Sequence, residues 1–339
     1  MPKVTHELKK GYTTGVHANI AFASALEYYL CTHMQARTHS TKMDNDDLDV
    51  TKGCEIVVHL SQSREDLLLN PTPHTPFCFQ SSTNTLLLYA GEGVGVVTKK
   101  GLKIAPHFPA INPVPKDALQ KTFERLTRPH QNLHLHCAIG IKEGETLAKQ
   151  TANEKVGVLG GLSILGTTGF VKPISSTAYL ESIKTEICFA LANAHPTLYL
   201  TLGNSALAKA STLAPKEAVI EIGNFIHDAL SFASQQGASH IVLLCGIGKM
   251  TKIAQGFKNT HNRFGNIDFQ WLQREIQEAL HHTIDTEATL TVKGVCEELD
   301  TKGLLEAFYA LCARKAQERI NAWGIRSTVE VVIVKESTW

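Results

Sequence analysis

The sequence has no cysteine pair in a C-x-x-C arrangement, no apolar run of membrane-spanning length and no surplus of charge of either sign. Each absence closes off a class of function. The eight cysteines (Cys31, Cys54, Cys78, Cys137, Cys188, Cys245, Cys296 and Cys312) are scattered along the chain. Without a close pair they argue against a zinc knuckle or a thioredoxin-like redox site. They read as reduced, mostly buried small hydrophobes. The start of the chain, MPKVTHELKKGYTTG, has no apolar signal core, so a soluble cytoplasmic protein is expected. With 33 basic against 32 acidic residues, the net charge of +1 gives no general pull toward nucleic acid or an anionic membrane. Also missing are a P-loop, a nucleophile elbow and a G-x-G-x-x-G turn followed by an acid at ribose distance. A dinucleotide dehydrogenase is thereby disfavoured. No internal repeat is visible.

What is present suits a globular enzyme. A chain of 339 residues, 43% of them hydrophobic, is long enough for two domains with real cores. The fold class expected is an α+β N-terminal domain over 1–150, followed over 151–339 by an α/β domain with a mainly parallel sheet. In the first part, Thr13–Thr14 cap an apolar helical pattern over about 14–31. Thr38–Thr51 reads as a surface loop. Glu55–Leu60, Thr85–Ala90 and Leu133–Ile141 read as strands, and Asn70–Pro76, with three prolines, as irregular chain. Beyond residue 150 strands alternate with helices. The strands are Val156–Leu159, Thr197–Leu202, Ala218–Ile222, His240–Cys245 and Thr328–Lys335. One helix runs through Tyr179, Ile183, Ile187 and Leu191 and stops before Pro196, and others fall near 205–213, 226–236, 250–257, 269–282 and 304–323. This alternation argues for a parallel sheet with crossover helices.

Three glycine-bearing loops leave strands of the second part: Gly160–Gly169, Leu202–Asn204 and Gly246-Ile-Gly-Lys249. In an open α/β sheet, ligands sit beyond the carboxyl ends of strands, where glycine lets backbone N–H groups approach them. These loops read either as a nucleoside pocket or as ordinary tight turns. The first part has further clusters. Gly11-Tyr-Thr-Thr-Gly15 could offer hydroxyls and amides to a carboxylate, or simply cap the first helix. Gly91-Glu-Gly-Val-Gly95 reads as a ligand loop or a bulge with positive φ. Asn112 in Ala110-Ile-Asn-Pro113 could orient a polar ligand or start a turn. Among 16 histidines, His261 is the single candidate for a catalytic role. His134 and His136 share one face of a strand but lack an obvious third metal ligand.

Taken together, the clusters resemble the cobalt-precorrin-5B C1-methyltransferase (CbiD) family. The matching blocks, in order, are GYTTG at 11–15, GEGVGVVTKKGL at 91–102, PAINPVP at 109–115 and LAKQT at 147–151. VGVLGGLSILGTTGFVKP at 156–173, GN at 203–204, GNF at 223–225 and NTH at 259–261 follow. Departures from the family pattern fall at His17, over 67–85, at His227, at Gly246–Lys249 and at Asn262. The resemblance implies transfer of a methyl group from S-adenosylmethionine to C-1 of cobalt-precorrin-5B, giving cobalt-precorrin-6A in anaerobic cobalamin synthesis. It implies an α+β N-terminal domain with a Rossmann-like C-terminal domain, a small-molecule tetrapyrrole partner, no nucleic acid or membrane, and no metal of the protein's own, since cobalt arrives in the substrate. A homo-oligomer stays open. Gly160, Gly161, Gly166, Thr167, Thr168, Gly203, Asn204, Gly246 and Gly248 are assigned to the methyl donor. Thr13, Thr14, Gly15, Glu92, Gly93, Gly95 and Asn112 are assigned to the tetrapyrrole. A non-catalytic tetrapyrrole-binding homologue and a different nucleotide-using α/β enzyme are the alternatives.

Overall fold

The computed structural model describes residues 11–43, 50–166, 169–171, 176–284 and 291–335. It is a mixed α/β protein of two compact units, Met1–Ser175 and Ser176–Trp339.

The first unit is built on the helix Thr14–Thr32. Thr13 caps it through its side chain, and it stops where His33 turns left-handed (φ 57°) and returns its N–H to Tyr29 O. Ala18, Ala21, Phe22, Ala25, Leu26 and Tyr29 form its buried stripe. Each large apolar side chain fully removed from water there contributes about 1.5–3 kcal/mol. This stripe packs on a five-stranded sheet ordered Ala36–Thr41, Glu55–Ser61, His134–Ile141, Asn84–Ala90 and Phe77–Ser81. All neighbours are antiparallel except His134–Ile141 with Asn84–Ala90. The helix Pro113–Thr127 adds Leu119 and Phe123 to the same core.

Several elements here differ from the sequence reading. Thr38–Thr41, expected in a loop, belongs to the edge strand Ala36–Thr41, whose polar outer residues hide the usual strand pattern. Phe77–Ser81 and the helix Pro113–Thr127 were not expected. In the helix, Pro113 and Pro115 occupy the first turn, where a missing N–H costs nothing.

The unit divides from its neighbour after residue 175 rather than near residue 150. Three short ladders explain the difference. Val158–Leu159 pairs with Val96–Val97, Gly161–Leu162 with Gly93–Val94, and Phe170–Val171 with Gly11–Tyr12. The segment from 156 to 171 therefore belongs to the first core, and its glycine loop is not a turn of the parallel sheet.

The second unit holds a four-stranded, wholly parallel sheet ordered Val219–Glu221, Thr197–Leu202, His240–Cys245 and Thr328–Ile333. Both faces are covered, which accounts for the continuous apolar run of His240–Cys245. Asn204–Ser211 packs on one face with Val219, Val242 and Leu244. Ser176–Ala192, Ile226–Gln235, Ile247–Ala254, Phe269–Leu280, Val292–Thr301 and Leu305–Ala322 lie with the large core on the other. Val292–Thr301 was not anticipated.

No helix among the described residues is long and apolar enough to cross a membrane. None of the eight cysteines is in a disulfide: Cys31 and Cys78 are exposed, Cys188 is half-buried and the other five are buried.

The short ladders generate a prediction. A Cβ on Gly161 would fall well inside contact distance of Gly93 O and of the Gly93–Val94 peptide bond. Gly161→Ala is expected to cost about 1–3 kcal/mol or more by overpacking, read as a lowered unfolding midpoint of the first unit.

Candidate functional site

The clusters singled out in the sequence gather in two places, one in each unit. In the first unit they form a knot of backbone. Thr13 N–H donates to Gly169 O (3.0 Å) and Gly15 N–H to Leu165 O (2.8 Å). The Thr14 hydroxyl donates to Leu165 O (3.3 Å) and accepts from Leu165 N–H (2.8 Å). Gly95 N–H reaches Leu162 O, and Ala110 N–H reaches Gly95 O, each at 2.8 Å. Asn112 N–H donates to Ile164 O at 3.0 Å. Thus Thr13, Thr14, Gly15, Gly93, Gly95, Asn112, Gly160, Gly161 and Gly166 meet in one place. Thr167 and Thr168 lie outside the described residues.

The missing side chains of this knot are filled by protein. A Cβ on Gly15 would stand 2.7 Å from Pro115 Cγ and 2.9 Å from Leu165 O. One on Gly93 would meet Ile141 O, one on Gly95 the Val158 side chain, and one on Gly166 the Thr13 hydroxyl. Gly160 faces Asn70, a residue that sequence reasoning missed. Its amide donates to Val94 O (2.7 Å) and Gly160 O (2.9 Å), and its Oδ1 accepts from Thr72 N–H (2.8 Å). Asn70 is buried, and the Asn-Pro pair it forms with Pro71 is its only signal in the sequence.

Two assigned side chains here remain uncommitted. The Asn112 amide makes no capping bond to the helix it precedes. Glu92 is exposed at a cleft of about 320 Å³ on the face of the sheet away from the helices, with Arg37, His59, Lys142 and Glu143. Burial lowers the His59 pKa, Arg37 lowers it further and Glu92 opposes both.

His17 stands near the start of the helix Thr14–Thr32, almost fully buried. Its Nδ1 is 2.8 Å from Ser40 Oγ, and its Nε2 is buried with no hydrogen-bond partner. Burial, then Lys42, lowers its pKa below the ordinary 6.5. Between those two values the folded chain binds fewer protons than the unfolded one. The contribution of His17 to stability is therefore complete above about pH 6.5 and is lost as pH falls toward the folded pKa. Denaturation at about pH 7.5 and 5.5 should show wild type less stable at the lower pH, and His17→Gln should weaken that dependence.

In the second unit the loops leave the carboxyl ends of paired strands. Leu202 pairs with Cys245, so Gly203–Asn204 and Gly246–Gly248 stand side by side. Gly203 has φ +98°, and Gly246 begins the helix Ile247–Ala254. A Cβ on Gly203, Gly246 or Gly248 would meet nothing within 4 Å. These three glycines face open space, the reverse of the packed glycines in the first unit.

The loop carrying Asn259-Thr-His261 is tied to Asn224, just past the edge strand Val219–Glu221. Thr260 Oγ1 donates to Asn224 Oδ1 (2.8 Å), and Thr260 N–H to Asn224 O (3.2 Å). His261 is exposed, and its Nδ1 accepts from Arg263 N–H at 3.1 Å, capping a short turn. Beneath lies Lys252, also missed, because a lysine inside an apolar helix pattern reads as a solvent-facing residue. It is only 6% exposed. Its Nζ donates to Thr260 O (3.1 Å), Asn262 Oδ1 (2.8 Å) and Gly265 O (3.0 Å), using all three of its protons. Burial lowers its pKa. Lys252→Met would strand these acceptors at about 1–3 kcal/mol; faster proteolysis within 258–265 is the expected readout.

A family model described as CbiD matches residues 27–173. A cobalt-precorrin-5B C(1)-methyltransferase of Desulfitobacterium hafniense is 33% identical, over 93% of this chain and 80% of its own length. The chain belongs to the CbiD family. The enzyme of the same name from Thermus thermophilus is 35% identical, over 85% of this chain and 74% of its own. That from Methanocaldococcus jannaschii is 32% identical, over 85% and 76%. A crystal structure of the cobalamin biosynthesis protein from Archaeoglobus fulgidus is 24% identical with a TM-score of 0.34, covering 73% of this chain and 80% of that one. The CbiD model falls within the first unit, whereas the D. hafniense relative spans most of both.

Proposed function

We propose that this chain is a cytoplasmic methyltransferase that moves the methyl group of S-adenosylmethionine to C-1 of cobalt-precorrin-5B, giving cobalt-precorrin-6A in anaerobic cobalamin synthesis. The observation that carries the reading is the likeness, at 32–35% identity, to enzymes bearing that reaction as their name. The geometry supports a donor site in the second unit, read here as a Rossmann-like domain. Its strand-end loops, unlike the glycines of the first unit, leave room for a ligand at Gly203, Gly246 and Gly248. Gly160, Gly161 and Gly166, first assigned to the donor, serve packing instead in this reading.

The chemistry asks little of the protein's own nucleophiles. The sulfonium methyl is already electrophilic. The ring carbon forms the new bond as the carbon–sulfur bond breaks, and the electron pair leaves with the thioether of S-adenosylhomocysteine. Holding the two carbons in line can supply on the order of 7–11 kcal/mol of the barrier. The tetrapyrrole is assigned to the first unit, with Glu92 and Asn112 as the side chains left to meet it. His261 is retained as the candidate catalytic residue, its Nδ1 engaged by Arg263. Cobalt is carried by the substrate.

Incubation with methyl-labelled S-adenosylmethionine and cobalt-precorrin-5B should place label at C-1. Binding of the tetrapyrrole without transfer would favour a non-catalytic homologue. Gly248→Ala supplies a second check. Position 248 is helical with open space around it, so alanine should leave stability unchanged or raise it by about 0.5–1 kcal/mol. The added methyl should weaken S-adenosylhomocysteine binding by titration calorimetry.

A further inference from the structure

The carboxyl end of the parallel sheet carries one acidic side chain that the glycine loops do not account for. Glu221 is the last residue of the edge strand Val219–Glu221 and pairs with Thr201, two positions before Gly203. Two residues back, Val219 packs with Ala206 and Ala210 of the helix that begins at Asn204. Strand alternation puts Glu221 on the same face as Val219, the face on which the Gly203–Asn204 turn departs. The carboxylate is exposed.

The backbone presenting it is fixed by Thr201 and Tyr179. Ile222 N–H donates to Thr201 O (3.0 Å), and the Tyr179 hydroxyl donates to Glu221 O (3.3 Å). Gly223 takes φ +55°, and its absent Cβ would lie 2.9 Å from the Tyr179 ring. Burial, then the charges of Glu221 and Glu186, push the Tyr179 hydroxyl up to about 12. Tyr179 therefore stays a protonated donor and leaves the strand end in place.

Topology adds the decisive element. Strand order 219–221, 197–202, 240–245, 328–333 means that the chain leaves Thr197–Leu202 toward one edge and His240–Cys245 toward the other. The crevice where these connections part lies at Gly203 and Gly246, and this is where open α/β sheets hold their ligands. Glu221 stands one strand away on its flank. A carboxylate accepts hydrogen bonds from both hydroxyls of a vicinal diol, and it repels a phosphate on either of them.

We propose that Glu221 binds the ribose diol of the methyl donor and selects an unphosphorylated nucleoside, a role that rests on the donor site proposed above. The test is titration calorimetry of the full chain with S-adenosylhomocysteine and its 2′-deoxyribose counterpart. Wild type should prefer the ribose form. Glu221→Ala should lose roughly 10- to 100-fold in affinity for the ribose form and clearly less for the deoxy form, which keeps only one of the two hydroxyls. Glu221→Gln, which still accepts one hydrogen bond, should fall between. Unchanged binding of the ribose form by Glu221→Ala overturns the proposal. An equal loss of both ligands also overturns it, because that marks a structural effect. Failure of wild type to bind S-adenosylhomocysteine at all overturns the donor site itself, and this role with it.

Discussion

Gly93 and Gly161 lie side by side in a two-residue parallel ladder, where a side chain on Gly161 would strike Gly93 and one on Gly93 would strike Ile141 O. Gly144 comes up against Gly93 from another direction, and Gly91 and Gly140 lean on the neighbouring backbone in the same way. Everything else in the first unit depends on that approach. It lets the chain from Val158 to Leu162 pair with Gly93–Val94 and Val96–Val97 and then reach the start of the first helix, where Leu165 meets both Thr14 and Gly15. A single β-carbon at the crossing would push these layers apart.

Glycine consequently serves two purposes in this chain. In the knot of the first unit it removes atoms so that neighbouring backbone or side chains can occupy their place. At the strand ends of the second unit it removes atoms and leaves the place vacant, at Gly203, Gly246 and Gly248. The sequence motifs look alike, yet the physical demands are opposite. The functional reading of the second unit depends on that difference, and so does the weight given to Asn112 and Glu92 in the first, whose side chains are not spent on packing.

Much of this could be read before any coordinates. Thr13 followed by a regular apolar stripe located the first helix, and the uninterrupted apolar run His240–Cys245 located a strand buried on both faces. Those signals are strong because local chemistry and burial agree. Ala36–Thr41 was illegible because an edge strand buries few of its residues. Pro113–Thr127 was hidden by prolines that normally interrupt helices but sit here in the first turn. The boundary was misjudged because a strand followed by a glycine-rich turn announces a parallel α/β unit, and only long-range pairing reveals that 156–171 completes the earlier core. Lys252 and Asn70 were missed for a related reason. Each is a polar residue whose partners lie in loops, and no periodicity marks such a role. Family likeness did supply the order of the motifs, but not which glycines face protein and which face space.

The pairing of Gly11–Tyr12 with Phe170–Val171 has a consequence for how the chain is made. The strand that enters the first unit is closed by the strand that leaves it, so a growing chain cannot seal this core until residue 171 is available. The second unit repeats the problem: His240–Cys245 waits for Thr328–Ile333, with most of the helical layer synthesised in between. Non-local closure of this kind slows folding and keeps apolar surface uncovered meanwhile. During synthesis, the stripe of Phe22, Leu26 and Tyr29 is therefore the surface with the longest exposure, and a chaperone that shields apolar helices would meet it first.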